Sequence, residues 1–228
     1  MKHSLYVAEG TATFTLVFAG CGAIIVSADY PGVLGHAGVS AVFGLVVMAM
    51  IYSVGNISGA HLNPAVTLGF YFAGRLKKGL IPGYIGSQIL GALAAALFLR
   101  LLFPGSSTLG ASVPDVDILR AFVFEVILSF ILMFVILNVS TGHMEKGIMA
   151  GVAVGGTIAL EALLAGPVTG ASMNPARSIG PAVVSGEFSS LWIYMTAPVL
   201  GAYLAHPTCR WVQGNECCYS SKGRESAQ

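Results

Sequence analysis

The chain has 228 residues, of which 55% are hydrophobic and only 9% charged, with a formal net charge of +1. Mean hydropathy is +0.80, and soluble domains carry about 25% charged residues, so the composition excludes a soluble domain. The near-zero net charge argues against a nucleic-acid partner, which would require a basic patch.

Apolar runs predict membrane spans at about 5–27 and 37–54, a short helix at 64–72, spans at 82–102, 118–139 and 147–164, a second short helix at 175–184, and a last span at 191–205. Each long run is enough to cross a hydrocarbon core of about 30 Å at about 1.5 Å per residue. The first run is not a removable signal peptide: it contains Glu9 and is too long, and the pattern after it needs it as a span. The expected organisation is one domain over 1–208, with repeats at about 5–102 and 118–208 and a polar, disordered tail at 209–228. Glycines within the spans (Gly10, Gly20 and Gly22; Gly151, Gly155 and Gly156) are read as sites of close helix packing. The four cysteines, Cys21, Cys209, Cys217 and Cys218, have no zinc-ligand spacing and are expected as plain thiols. No metal or cofactor is expected.

The two short helices share one start. Asn63-Pro64-Ala65 and Asn174-Pro175-Ala176 each place Asn at an N-cap and Pro at the first helical position. A helix start exposes unpaired N–H groups and a partial positive charge. At membrane depth this is tolerated only inside protein or beside a water-filled cavity. A pair of such starts in corresponding places points to a transport pathway.

The halves repeat. Asn63 and Asn174 are 111 positions apart, Glu9 and Glu125 are 116 apart, and Gly91 and Gly201 are 110 apart. Three spans per half is an odd number, so the second half enters the membrane from the opposite side. The two short helices then meet near the midplane of an inverted repeat. Orientation follows from basic residues: Lys2, Arg75, Lys77, Lys78, Lys146, Arg210, Lys222 and Arg224 fall on one side, against Arg100 and Arg120 on the other. The positive-inside rule then puts both termini in the cytoplasm. Arg177 is a permanent charge inside a membrane segment and is a functional candidate on that ground alone.

The paired Asn-Pro-Ala boxes, the second followed at once by Arg177, resemble the aquaporin, or major intrinsic protein, family. The likeness covers about residues 5–208. The wording of the second box, Gly166-Pro-Val-Thr-Gly-Ala-Ser-Met-Asn-Pro-Ala-Arg-Ser, is similar to plant nodulin-type intrinsic proteins and their bacterial relatives, with an aquaglyceroporin-like character. The resemblance implies an all-α fold of six transmembrane helices and two half-helices. It also implies a homotetramer in the plasma (cell inner) membrane, with one pore per protomer. Both asparagines would cap their helices through Oδ1 and keep the amide NH₂ free for a passing water. Positive potential from the two helix ends would oppose protons and cations.

By register, the family's selectivity filter falls on Phe43, Ala162, Ala171 and Arg177. Water-selective members typically carry His where this chain has Ala162, and glycerol-conducting members often carry Trp where it has Phe43. A wider, more apolar ring is therefore expected, passing small neutral polyols or hydroxylated metalloids as well as water. Glu9 is expected to accept hydrogen bonds from residues 58–62, and Glu125 from residues 169–173. A proton relay is the rival role for these acids, but no chain of titratable partners is visible. Glu161 has two readings: a buttress accepting N–H groups of 166–172, or a pore carboxylate offsetting Arg177. His61 is a candidate for lining the cytoplasmic side of the pore and for sensing pH. The functional expectation is a passive channel for water and small uncharged solutes in the lipid bilayer. Its rivals are a strict water channel and an ion-coupled secondary transporter. No enzyme is expected, because no nucleophile–base set occurs among the pore candidates.

Overall fold

A chain this apolar must satisfy its backbone polar groups within each segment, and the helix does so. The computed structural model describes residues 2–140 and 144–214, and among them it holds eight α-helices and no strand. They are α1 (Lys2–Asp29), α2 (Gly35–Ser58), α3 (Pro64–Phe72), α4 (Ile81–Leu102), α5 (Ile118–Val139), α6 (Met144–Thr169), α7 (Pro175–Ser185) and α8 (Leu191–Gln213). Five of them (α1, α2, α4, α5 and α6) are long and apolar enough to cross a membrane. The expected sixth span, α8, has sufficient length but is diluted by Pro198, His206 and Pro207.

Its place in the bundle supplies what its composition lacks. The most extensive helix pairings are α5 with α8, α1 with α4, and α2 with α6. The first two are copies of one another. A Cβ on Gly91 of α4 would lie 2.2 Å from the Gly10 carbonyl oxygen of α1, and a Cβ on Gly201 of α8 would lie 2.4 Å from that of Val126 on α5. The third pairing crosses the repeat axis. Gly44 and Gly155 each approach the other's carbonyl so closely that a Cβ would come within 2.5 and 2.6 Å of it. The half-helices α3 and α7 fill the space between, with α3 against α8 and α7 against α4.

Three sequence expectations change. The fifth span does not end at 164: α6 continues through Pro167 to Thr169. Residues 209–213, expected as part of a disordered tail, are the last turn of α8, tied to α5 by Gln213 Nε2 donating to Asn138 Oδ1. Cys209 is disulfide-bonded rather than a plain thiol, a pairing that spacing alone does not reveal, while Cys21 is a buried free thiol. Cys217, Cys218, Lys222 and Arg224, with the rest of the expected tail after Gly214, lie outside the described residues, as does the side chain of Lys146.

Candidate functional site

Each Asn-Pro-Ala box is a helix start preceded by a contorted loop. Asn63 is extended at φ −152°, and its Oδ1 accepts from Ala65 N at 2.8 Å; Asn174, at φ −146°, accepts from Ala176 N at 3.0 Å and Arg177 N at 3.3 Å. Before each cap the chain turns through the left-handed region. Ala60 and Leu62 have φ of 49° and 54°, and Ala171 and Met173 have φ of 40° and 52°. Non-glycine residues there cost about 1–3 kcal/mol each and persist only when the surroundings over-determine them.

Two buried glutamates meet that requirement. Glu9 Oε1 accepts from Ser58 Oγ (2.7 Å) and His61 N (2.9 Å), and its Oε2 accepts from Leu62 N (2.8 Å) and Gln88 Nε2 (2.8 Å). Glu125 Oε1 accepts from Thr169 Oγ1 (2.7 Å) and Ser172 N (3.0 Å), and its Oε2 accepts from Met173 N (2.8 Å). A tyrosine pins each loop's first carbonyl: Tyr84 donates to Ser58 O at 2.8 Å, and Tyr194 to Thr169 O at 2.5 Å. Sequence reasoning missed this pair, although the offset of 110 that relates Gly91 to Gly201 also relates Tyr84 to Tyr194.

The box asparagines are less free than the sequence suggested. Asn63 Nδ2 donates to Met173 O at 2.8 Å and Asn174 Nδ2 donates to Leu62 O at 2.9 Å, so each amide ties its own half to the other half's loop. An amide has two N–H donors. One is committed to the fold, which leaves one N–H of each amide outside these bonds.

Arg177 is 2% exposed and makes no ion pair among the described residues. Its Nη1 donates to Ser112 Oγ at 2.7 Å, and its Cζ sits 5.3 Å from the Phe43 ring centroid, within cation–π reach. Ser112 Oγ is 2.9 Å from Ser178 Oγ, which is 2.5 Å from Ser172 Oγ, which donates to Asn174 O at 3.0 Å. A chain of hydroxyls thus joins the guanidinium to the second box. Ser112 lies in the connection before α5 and carries no sequence signal. Gly20, read only as a packing glycine, also gives Phe43 its place, because a Cβ there would lie 2.2 Å from the ring.

Two cavities meet at this point. One, of about 100 Å³, runs past both box loops and is lined by His61, Asn63, Asn174 and apolar residues of α2, α5 and α6. The other, of about 430 Å³, opens among the end of α1, the start of α2, residues 111–113 and the end of α6. Four of the described residues line both: Phe43, Ala162, Ala171 and Arg177.

His61 is buried in the first cavity's wall. Its ring stacks on Phe70 with centroids 4.6 Å apart, and its Nδ1 lies 3.1 Å from Thr67 Oγ1. Glu161 takes neither expected place. It lines neither cavity, and both carboxyl oxygens are buried without a hydrogen-bond partner. The donors of the second box loop go to Glu125 instead, and residues up to Thr169 spend their N–H groups within α6. Among the described residues, no cluster of acids, histidines or cysteines has the makings of a metal site.

Membrane-spanning helices wrapped round two opposed helix starts, with cavities meeting at a buried arginine, define a helical membrane channel. A family description, major intrinsic protein, matches residues 2–207. Nodulin-26 of Glycine max is 47% identical over 197 residues, covering 86% of this chain and 73% of its own. Aquaporin NIP1-1 of Zea mays is 50% identical over 197 residues, covering 86% and 70%. The X-ray structure of the aquaglyceroporin from Plasmodium falciparum superposes with a TM-score of 0.79 at 25% identity, covering 94% of this chain and 96% of that one. The chain belongs to the major intrinsic protein family. It is an integral membrane channel for water and small solutes, and not an enzyme.

Proposed function

We propose that the channel carries glycerol-like polyols as well as water and excludes protons and ions, through a filter formed by Phe43, Ala162, Ala171 and Arg177. The observation that carries this reading is that, among the described residues, these four line both cavities. Ala162 contributes a methyl group where an imidazole would narrow the ring and add a donor. Phe43 gives an apolar wall for a polyol's carbon face, and Arg177 gives donors for its hydroxyls. A permanent guanidinium at a constriction repels cations. Asn63 and Asn174, capping Pro64-Ala65 and Pro175-Ala176, each have one amide hydrogen for the passing molecule. A water accepting from both turns its own hydrogens away from its neighbours in the file, which interrupts proton hopping. Glu9 and Glu125 hold the box loops, and His61 lines the pore on the cytoplasmic side.

We infer one channel domain that, with the end of α8 included, runs past the expected boundary at 208 to Gln213, assembled as a homotetramer in the plasma (cell inner) membrane with both termini cytoplasmic. Support for the orientation is the excess of basic residues on that face. The test is stopped-flow light scattering on proteoliposomes. Fast shrinkage in an impermeant osmolyte together with fast re-swelling in glycerol is expected. Shrinkage without re-swelling marks a strict water channel and overturns the polyol reading. Saturation with ion coupling marks a secondary transporter and overturns the channel mechanism.

A further inference from the structure

The wall that carries Ala162 is interrupted one turn later. Pro167 lies inside α6. A proline has no N–H and cannot donate to the carbonyl four residues before it, which here is that of Leu163, the residue after Ala162. A carbonyl freed in this way is satisfied by a neighbouring helix, a side chain or water. It finds a donor on α2: His36 Nε2 lies 2.7 Å from Leu163 O. A carbonyl oxygen can only accept, so Nε2 carries the hydrogen whichever charge state the ring holds. The fit is built from both sides. Gly166 has no Cβ, and one placed there would lie 2.7 Å from His36 Cε1. His36, Gly166 and Pro167 also line the larger cavity beside the four residues shared with the smaller one.

We propose that His36 is a positioning residue for solute selection. Its Nε2–H replaces the helix hydrogen bond that Pro167 cannot make, and so fixes the end of α6 that holds Ala162 in the filter. The inference rests on the filter reading above. Without the histidine, Leu163 O loses the donor that α2 supplies, the turn of α6 before Pro167 is held less firmly against α2, and Ala162 keeps a less fixed distance from Phe43 and Arg177. A loosely placed wall discriminates less between solutes of different size.

The experiment compares glycerol with erythritol entry into proteoliposomes for the wild type, His36→Ala, His36→Gln, Pro167→Ala and the double variant H36A/P167A. In H36A the glycerol-to-erythritol permeability ratio is expected to fall by about twofold to tenfold, the range one net hydrogen bond is worth. H36Q keeps a donor and restores the ratio. H36A/P167A also restores it, because residue 167 then supplies its own N–H to Leu163 O. That rescue separates positioning through one carbonyl from a general loss of stability. An unchanged ratio in H36A overturns the inference, and so does failure of P167A to rescue it. If H36A does not assemble, P167A must restore assembly, and failure to do so again overturns the inference. Should the chain carry only water, the same order of variants is read on water permeability. Ala162→His serves as the separate control: unaltered glycerol entry in that variant removes the filter reading, whereas a block there with an unchanged H36A removes only the role of His36.

Discussion

At residues 58–63 the anchoring carboxylate, Glu9, meets four donors, and at residues 169–174 its counterpart Glu125 meets three. The fourth donor is Gln88, whose place in the second half is taken by Pro198. Around the first loop, polar groups are spent on one another: Gln88 Nε2 also donates to Thr67 Oγ1, which lies against His61, itself covered by Phe70 and Tyr84. Around the second loop, the counterparts of His61 and Thr67, Ser172 and Ser178, join the chain that reaches Ser112 and Arg177. Arg177 itself corresponds to Val66, Ala162 to Ile51, and Glu161 to Met50. Backbone conformation is preserved between the halves to within about ten degrees at the left-handed positions, while the chemistry diverges. The inverted repeat fixes where the loops go. One copy is then closed on itself, and the other reaches Arg177 where the two cavities meet.

The largest expected effect breaks the common part. Glu9→Leu leaves four buried donors without an acceptor and Glu125→Leu leaves three, at about 1–3 kcal/mol for each orphaned group. Neither variant should yield folded protein at the wild-type midpoint. Thermal unfolding in detergent should rank E9L below E125L, with the Gln substitutions between each and the wild type. Equal losses from the two substitutions would mean that the donor from Gln88 adds nothing.

The next effect bears on the part that differs. Ala162→His puts an imidazole among the residues that line both cavities. Glycerol entry should drop by about tenfold or more, with water permeability largely kept, since a site that gains bulk and a donor rejects the larger solute. Ile51→His, at the corresponding place in the first half, lines only the smaller cavity. If it changed the glycerol-to-water ratio as strongly, the assignment of selection to the second half would fail.

Glu161→Met tests the difference in stability rather than flux. Two buried carboxyl oxygens without donors are removed, and the residue that the first half already uses, Met50, replaces them. The thermal midpoint should rise, by the equivalent of about 1 kcal/mol, because unsatisfied buried polar groups are destabilising. A fall would mean that Glu161 serves the channel in a way its contacts do not reveal.

Much of this frame was legible in the sequence because it depends on local chemistry and periodicity. Asn-Pro at a helix start, long apolar runs, and one acid per half at matched spacing are all visible without contacts. Less visible was anything requiring two distant segments to meet. The cross-pairing of Asn63 with Met173 O and of Asn174 with Leu62 O halves the donors expected of each amide, and it follows only from the way the loops abut. Ser112 reaches Arg177 across 65 positions from a connection with no periodic pattern. Glu161 was misjudged because sequence shows an acid beside Ala162 but not that Glu125 already takes the loop's donors. The end of α6 lay outside the apolar run read as a span: the helix continues through Pro167, with His36 of α2 reaching the carbonyl that the proline frees.

The smallest expected effect is the sharpest test of the comparison, because it converts the first half toward the second. Gln88→Met removes the donors to Glu9 Oε2 and Thr67 Oγ1, but it also removes Gln88 Oε1, a buried oxygen with no partner. Glu9 would keep Ser58, His61 and Leu62, the same number of donors with which Glu125 holds its loop. Thr67 would keep its bond to Asn63 O at 3.0 Å. Lost hydrogen bonds and the relieved orphan offset one another, so stability should change by no more than about 1 kcal/mol, with water permeability unchanged. The readouts are the thermal midpoint and the shrinkage rate. A collapse approaching that of E9L would mean that the first loop depends on its closed polar cluster in a way the second does not, and that three donors suffice for Glu125 only because the Ser112–Ser178–Ser172 chain supports the same turn.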